Sequence, residues 1–277
     1  MPYTSSLQTG GAPLAATLGR LAARSGAGGL DLSARPDTTG GDGWVTPSDL
    51  ASNAGLMEEL LLRLGAGEEA GYRAYAGTSL FRYCLWRVLV PAVAAFLTER
   101  RVPDLRPESV ALRFGEKGYP EDLAFLSPGF AALPDDPDAG HPDVRTVCSE
   151  EKMLAFVGDR LAEGHARALI PALRGLRVRR GARALWGAAV DVVAEAFMYV
   201  GRELGCQEEA LGFAEQMLSG GSPLSGPANY YLLEHGGEAE MTRVRNTCCL
   251  YYKVADGPCF TCPRITHEER LRRMRGL

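Results

Sequence analysis

The chain has 277 residues, 46% of them hydrophobic and 23% charged, and a formal net charge of −4. That length suits one large domain or two modest ones, and that composition is ordinary for a soluble globular protein. An acidic balance excludes nucleic acid as the main partner, because phosphate binding needs a basic field.

The opening Met1-Pro-Tyr-Thr-Ser-Ser lacks a basic n-region, and Arg20 and Arg24 interrupt the apolar stretch that follows. No secretion signal is therefore expected. The longest apolar run, Val88 to Leu97, contains Pro91 and falls well short of the roughly twenty residues a bilayer-spanning helix needs. A soluble cytoplasmic protein without a transmembrane segment is expected. In that compartment disulfides are rare, and clustered cysteines read as metal-binding or redox groups.

Residues 1–45 are rich in Gly, Ala, Ser and Thr and are expected to form a flexible N-terminal arm. Within it, Pro13 to Ala23 places Leu14, Leu18 and Leu21 at helical spacing, and Gly26 to Gly43 reads as a connector. Residues 46–226 are expected to form a mainly helical body. Ser48 to Leu64 and Thr78 to Arg101 carry helical stripes, the second to be kinked or split at Pro91. Cys84 lies among bulky apolar neighbours and reads as core.

Ser109 to Phe114 and Leu123 to Leu126 read as a strand pair around a Gly115–Pro120 turn, near residues 109–126. Pro128 to Pro142 is dense in Pro, Gly and Asp and reads as loop. Helices are expected over Val147–Leu173, Ala182–Leu204 and Gln207–Leu218. Beyond Pro227, residues 227–277 read as a hairpin around His235-Gly-Gly followed by a cysteine-rich segment. The fold class expected is α+β, predominantly helical, with a small antiparallel sheet and a C-terminal cluster-binding loop.

Four of the seven cysteines lie in that last segment: Cys248 and Cys249 adjacent, then nine residues, then Cys259 and Cys262. Soft thiolates select zinc or iron–sulfur over magnesium, calcium or manganese. Gly257, Pro258 and Pro263 favour a turn that converges the C-x-x-C sulfurs. Adjacent cysteines on an extended chain point to opposite faces, so the pair converges on one zinc ion only if the backbone bends. A two-iron cluster eases this by spreading its ligands over two metals. Spacing alone leaves structural zinc, an iron–sulfur site and free thiols open.

The stretch Arg245-Asn-Thr-Cys-Cys-Leu-Tyr-Tyr-Lys253 with Gly257-Pro-Cys-Phe-Thr-Cys262 resembles the C-terminal signature of the FhuF family of ferric-siderophore reductases. The family's tandem pair falls on Cys248 and Cys249, and its C-x-x-C on Cys259 and Cys262; the spacer of nine is slightly short of the family's usual ten. The resemblance implies a [2Fe-2S] cluster on these four residues and a cytoplasmic enzyme that releases iron by one-electron reduction of ferric siderophores. The alternatives are a zinc-stabilised interaction protein and an iron–sulfur carrier or sensor.

Reduction weakens the hold of hard oxygen donors on iron, so this chemistry needs no general base or nucleophile. The chain carries no Gly-rich dinucleotide fingerprint, and a separate donor, such as a ferredoxin-like protein, is expected to supply electrons. Arg243, Arg245, Tyr251, Tyr252 and Lys253 flank the cysteines as candidate contacts to substrate or cluster. Thr266-His-Glu-Glu269 has capping-box spacing, so a helix is expected from His267. Its Arg270 and Arg273 are candidate contacts to an acidic donor.

Overall fold

The computed structural model describes residues 12–25, 30–38, 41–65, 70–221, 223–235 and 238–274. In chain order these form α1 (Pro13–Arg24), β1 (Trp44–Val45), α2 (Pro47–Ser52), α3 (Ala54–Arg63), α4 (Ala70–Glu99), β2 (Arg101–Pro103), β3 (Val110–Phe114), β4 (Pro120–Phe125), β5 (Phe130–Ala132) and β6 (Val144–Thr146). There follow α5 (Glu150–Asp159), a π-helical stretch (Arg160–Ala166), α6 (Arg167–Gly175), α7 (Ala182–Leu204), α8 (Gln207–Ser219), β7 (Tyr230–His235), β8 (Glu238–Arg243), a 3-10 turn (Tyr251–Lys253) and α9 (His267–Met274). The class is α+β and mostly helical.

The centre is α4 packed on α7, with α8 packed on α7 and touching α4 through Phe96 and Phe213. Val88, Leu89, Val93 and Phe96 of α4, with Val192, Val193, Ala196 and Val200 of α7, are buried in one core. Alanines at 188, 189, 194 and 196 let neighbouring backbones come close. Both central helices have the length and hydropathy of a membrane span, but 83% and 78% of their most apolar windows are buried inside the protein. Their apolar surface is already covered within the protein.

Pro91 neither splits nor ends α4. Burial of residues 88 to 96 around it outweighs the lost backbone hydrogen bond, which in an exposed helix costs about 3 kcal/mol. The stretch expected as one helix over 48–64 is broken at Asn53, whose side chain accepts from Leu56 N–H at 3.0 Å and caps α3. The 147–173 helix starts late, at the Ser149 cap, and passes through the π-helical stretch just before Pro171.

The N-terminal segment is not a free arm over its described length. Leu14, Leu18 and Leu21 of α1 are buried in the core, and Arg20 pairs with Glu99 at 2.6 Å. Arg35 then bridges to Ala124 beside β4. Residues 1–11 and parts of the Gly-rich connector lie outside the described residues.

Three small sheets replace the one expected: β1-β3-β4, β2-β5-β6 and β7-β8. The 128–142 stretch is not all loop, because Phe130–Ala132 pairs antiparallel with Arg101–Pro103 and parallel with Val144–Thr146. The expected hairpin is present in register from Tyr230↔Arg243 to His235↔Glu238. Tyr230 anchors it by donating its hydroxyl to the Ala194 carbonyl of α7 at 2.6 Å, so the chain leaving β8 runs alongside α7.

Candidate metal centre

Two carboxylates on α7 organise the segment that carries the cysteines. Asp191 and Glu195 are four residues apart, so they share one face of the helix, and both are buried. Arg243 and Arg245 alternate along the extended chain and share one face of it. Arg243, with no exposed surface, donates to Asp191 Oδ1 at 2.6 Å, to the Asp191 carbonyl at 2.7 Å and to the Ala228 carbonyl at 3.0 Å. Arg245 Nε donates to Glu195 Oε1 at 2.7 Å, and Arg82 of α4 approaches Glu195 Oε2 at 2.5 Å.

Asp191 also accepts the backbone N–H groups of Asn246 at 2.7 Å and Thr247 at 3.2 Å. The two residues before Cys248 are thereby fixed to α7. Gly187 makes the close approach possible: a Cβ there would lie 2.5 Å from the Thr247 methyl carbon. Arg180 donates to the Cys248 carbonyl.

The tandem pair turns sharply at Leu250, which takes the left-handed conformation at φ 67°, and Leu250 N–H points at Cys248 Sγ at 3.4 Å. In the C-x-x-C, Cys262 N–H donates to the Cys259 carbonyl at 3.0 Å. The result is two sulfur pairs, Cys249 with Cys259 at 3.9 Å and Cys248 with Cys262 at 3.8 Å. Each member of the tandem pair therefore faces one member of the C-x-x-C, and the two need not converge on each other.

These separations carry chemical information. Two thiolates about 2.3 Å from one tetrahedral metal stand about 3.8 Å apart, so each pair is spaced to share a metal. Among the described residues, no group of three or more His, Cys, Asp or Glu side chains is gathered about a single ion. Two bidentate thiol pairs fit a two-metal cluster better than one zinc ion.

The charge environment suits thiolates. Three guanidiniums (Arg82, Arg243, Arg245) meet two carboxylates (Asp191, Glu195), leaving one positive charge in excess. That excess faces sulfur: Arg245 Nη1 lies 3.7 Å from Cys259 Sγ. Burial works to raise the Glu195 carboxyl, but Arg82, Arg245 and Arg243 outweigh it and hold the group near 2. Cys249 and Cys259 act as a pair: the hydrogen bond between them, with help from Arg245, lowers the Cys249 thiol, while the same bond and burial raise Cys259, so the pair gives up its first proton readily and holds the second. Cys84, by contrast, is pushed up to about 12 by burial alone and is an inert core residue.

The remaining candidates are distributed around this centre. Arg270 is buried and donates to the Cys262 carbonyl at 3.0 Å and to the Phe260 carbonyl. Arg243 and Arg270 thus face inward and fasten the cysteine segment rather than meeting a partner at the surface. Arg273 pairs with Glu269 at 2.5 Å. Tyr252 lies beneath the Arg264 guanidinium at 4.7 Å from the ring centroid, and exposed Lys253 lays its stem over Gly71 of α4. Tyr251 meets Tyr75 at 6.3 Å between centroids. The sequence reading missed Arg82, Arg180, Asp191 and Glu195. The available signal was the D-x-x-x-E spacing on an otherwise apolar helix, matched by the alternating Arg243 and Arg245.

The fold and site define a class: an α+β protein whose helical body holds four cysteines in two facing pairs. Residues 78–237, more than half of the chain, match the family described as ferric iron reductase FhuF-like transporter. The chain belongs to the FhuF family. The matched stretch ends before Cys248, so it is independent of the cysteine signature that resembles the same family. No curated protein matches the chain.

Proposed function

We propose that this protein is a cytoplasmic ferric-siderophore reductase whose residues 227–277 hold a [2Fe-2S] cluster through Cys248, Cys249, Cys259 and Cys262. The observation that carries the reading is the pairing of these thiols at 3.8 and 3.9 Å on a body that matches the family elsewhere. Cys249 and Cys259 would hold one iron, and Cys248 and Cys262 the other. When bound, such a cluster supplies one electron to siderophore-held ferric iron, and the ferrous product is held far more weakly by hard oxygen donors.

The protein's own groups do the rest. Asp191 and Glu195 fix the backbone before Cys248, so the thiolates stand in place before iron arrives. Arg245 offsets thiolate charge and directs a donor at Cys259 sulfur, the type of outer contact that sets cluster potentials. Arg270 saturates carbonyls of the C-x-x-C turn and keeps it closed. Electrons reach the site from a separate, ferredoxin-like donor.

The test is kinetic. Protein reduced with dithionite under anaerobic conditions is mixed with a ferric siderophore and a ferrous-specific chelator. One ferrous ion should be trapped per chain as the visible bands return. Return of the bands with a protein oxidant but not with ferric siderophores would identify a carrier instead.

A further inference from the structure

A cleft of about 590 Å³ opens beside the cysteine segment, within the size range of small-molecule sites. One wall is the first turns of α7, with Arg183, Trp186 and Gly187. The second is the Pro223–Pro227 loop, and the third is Asn246 and Thr247. Thr247 directly precedes Cys248, so the cleft borders the tandem pair.

Its charge is one-sided. Among the described residues of the lining, Arg183 alone is charged. From Gly164 to Val190 the chain holds six arginines and no Asp or Glu. Arg167 pairs with Glu163 and Arg180 holds the Cys248 carbonyl. Arg174, Arg177, Arg179 and Arg183 are exposed, and among the described residues none of the four forms an ion pair. The next carboxylate, Asp191, is buried and already taken by Arg243, Asn246 and Thr247. Of these four arginines, Arg183 stands in the cleft wall itself, so in a chain of net charge −4 the cleft presents a cation with no carboxylate in its described lining, an arrangement that attracts anions.

We propose that this cleft is the substrate site and that it selects ferric chelates of net negative charge, with catecholate or carboxylate oxygen donors, over neutral or cationic hydroxamate complexes. Arg183 meets the anionic oxygens, Trp186 supplies a flat apolar wall, and the Asn246–Thr247 wall sets the bound iron against the backbone of Cys248. The assignment rests on reading the four cysteines as the reducing centre.

Binding is tested apart from reduction with gallium(III) complexes, which match ferric charge and size but accept no electron. Calorimetry on the intact, cluster-loaded protein should show tighter binding of an anionic gallium catecholate than of a neutral gallium trihydroxamate, weakening as salt is raised. Arg183→Glu should weaken the catecholate by about tenfold or more, the effect of losing a hydrogen bond to a charged group. Ser225→Trp, which fills the cleft without changing charge, should do the same. Both variants should keep the visible spectrum and the reduction by dithionite of the parent.

Equal affinity for the two complexes overturns the charge selection. Unchanged catecholate binding in Ser225→Trp overturns the cleft. If Arg183→Glu slows reduction by a protein donor and leaves chelate binding intact, the arginines serve the donor and the proposal is wrong. A protein without iron fails the cluster reading instead, and shows it in its spectrum before any titration.

Discussion

Among the described residues, Arg245 is the point where the buried ion network touches sulfur. Its guanidinium is shared between Glu195 at 2.7 Å and Cys259 Sγ at 3.7 Å. Replacing it with Gln removes a positive charge next to a centre that gains negative charge on reduction. The reduction potential of the cluster-loaded protein should fall by on the order of 100 mV, and Arg245→Lys should recover most of it. A potential unmoved in Arg245→Gln would reduce Arg245 to a packing role. Glu195 still has Arg82 and Arg243 as partners in that variant, so folding should survive. The cysteines and Arg245 were legible in the sequence because they are neighbours within one short segment. Asp191, Glu195 and Arg82 were not, because a helix spacing reveals a shared face without revealing what will pack on it.

Among the elements, α7 was the most legible: Ala182–Leu204 follows from its unbroken apolar periodicity and the Gly205 stop in the left-handed conformation. What that pattern hid was the purpose of Gly187. A methyl group there meets the Thr247 methyl carbon at 2.5 Å, and neither α7 nor the Asp191-bound backbone can retreat easily. Gly187→Ala should destabilise the protein by about 1–3 kcal/mol and lower the iron retained on purification. Adding Thr247→Ser removes the methyl and keeps the hydroxyl near Asp191, so it should restore both; independent, additive losses would show that the contact is not the cause. The small strands β1, β2, β5 and β6 escaped the sequence reading for a different reason. Each has two or three residues, too few for an alternation pattern, and β5 lies between proline- and aspartate-rich turns that dominate the local signal. The split that Pro91 allows does not occur, since burial of α4 overrides a local breaker.

For the whole molecule, folding joins the α1 segment, the central helices and the cysteine segment into one body, and a buried histidine far from the cysteines links that body to pH. His165 is 1% exposed on the π-helical stretch and donates from Nε2 to the Leu105 carbonyl at 2.8 Å. Burial lowers its pKa to about 4, against a small opposing pull from that carbonyl. The unfolded chain, with an ordinary value near 6.5, therefore takes up the proton first. The stability this histidine contributes is full above pH 6.5 and is lost as pH falls through about 4, amounting to on the order of 3 kcal/mol. His165→Gln keeps a donor for Leu105 and should flatten the dependence of denaturation midpoint on pH between 6.5 and 4. An equally steep dependence in the variant would assign the acid sensitivity to carboxylates.

Four thiols in two facing pairs are proposed to hold two irons. Metal and sulfide content of anaerobically purified protein, read with its visible spectrum, tests this proposal most directly. Two irons and two acid-labile sulfides per chain, with a brown colour bleached by dithionite, are predicted. A colourless protein holding one tightly bound zinc ion would contradict it.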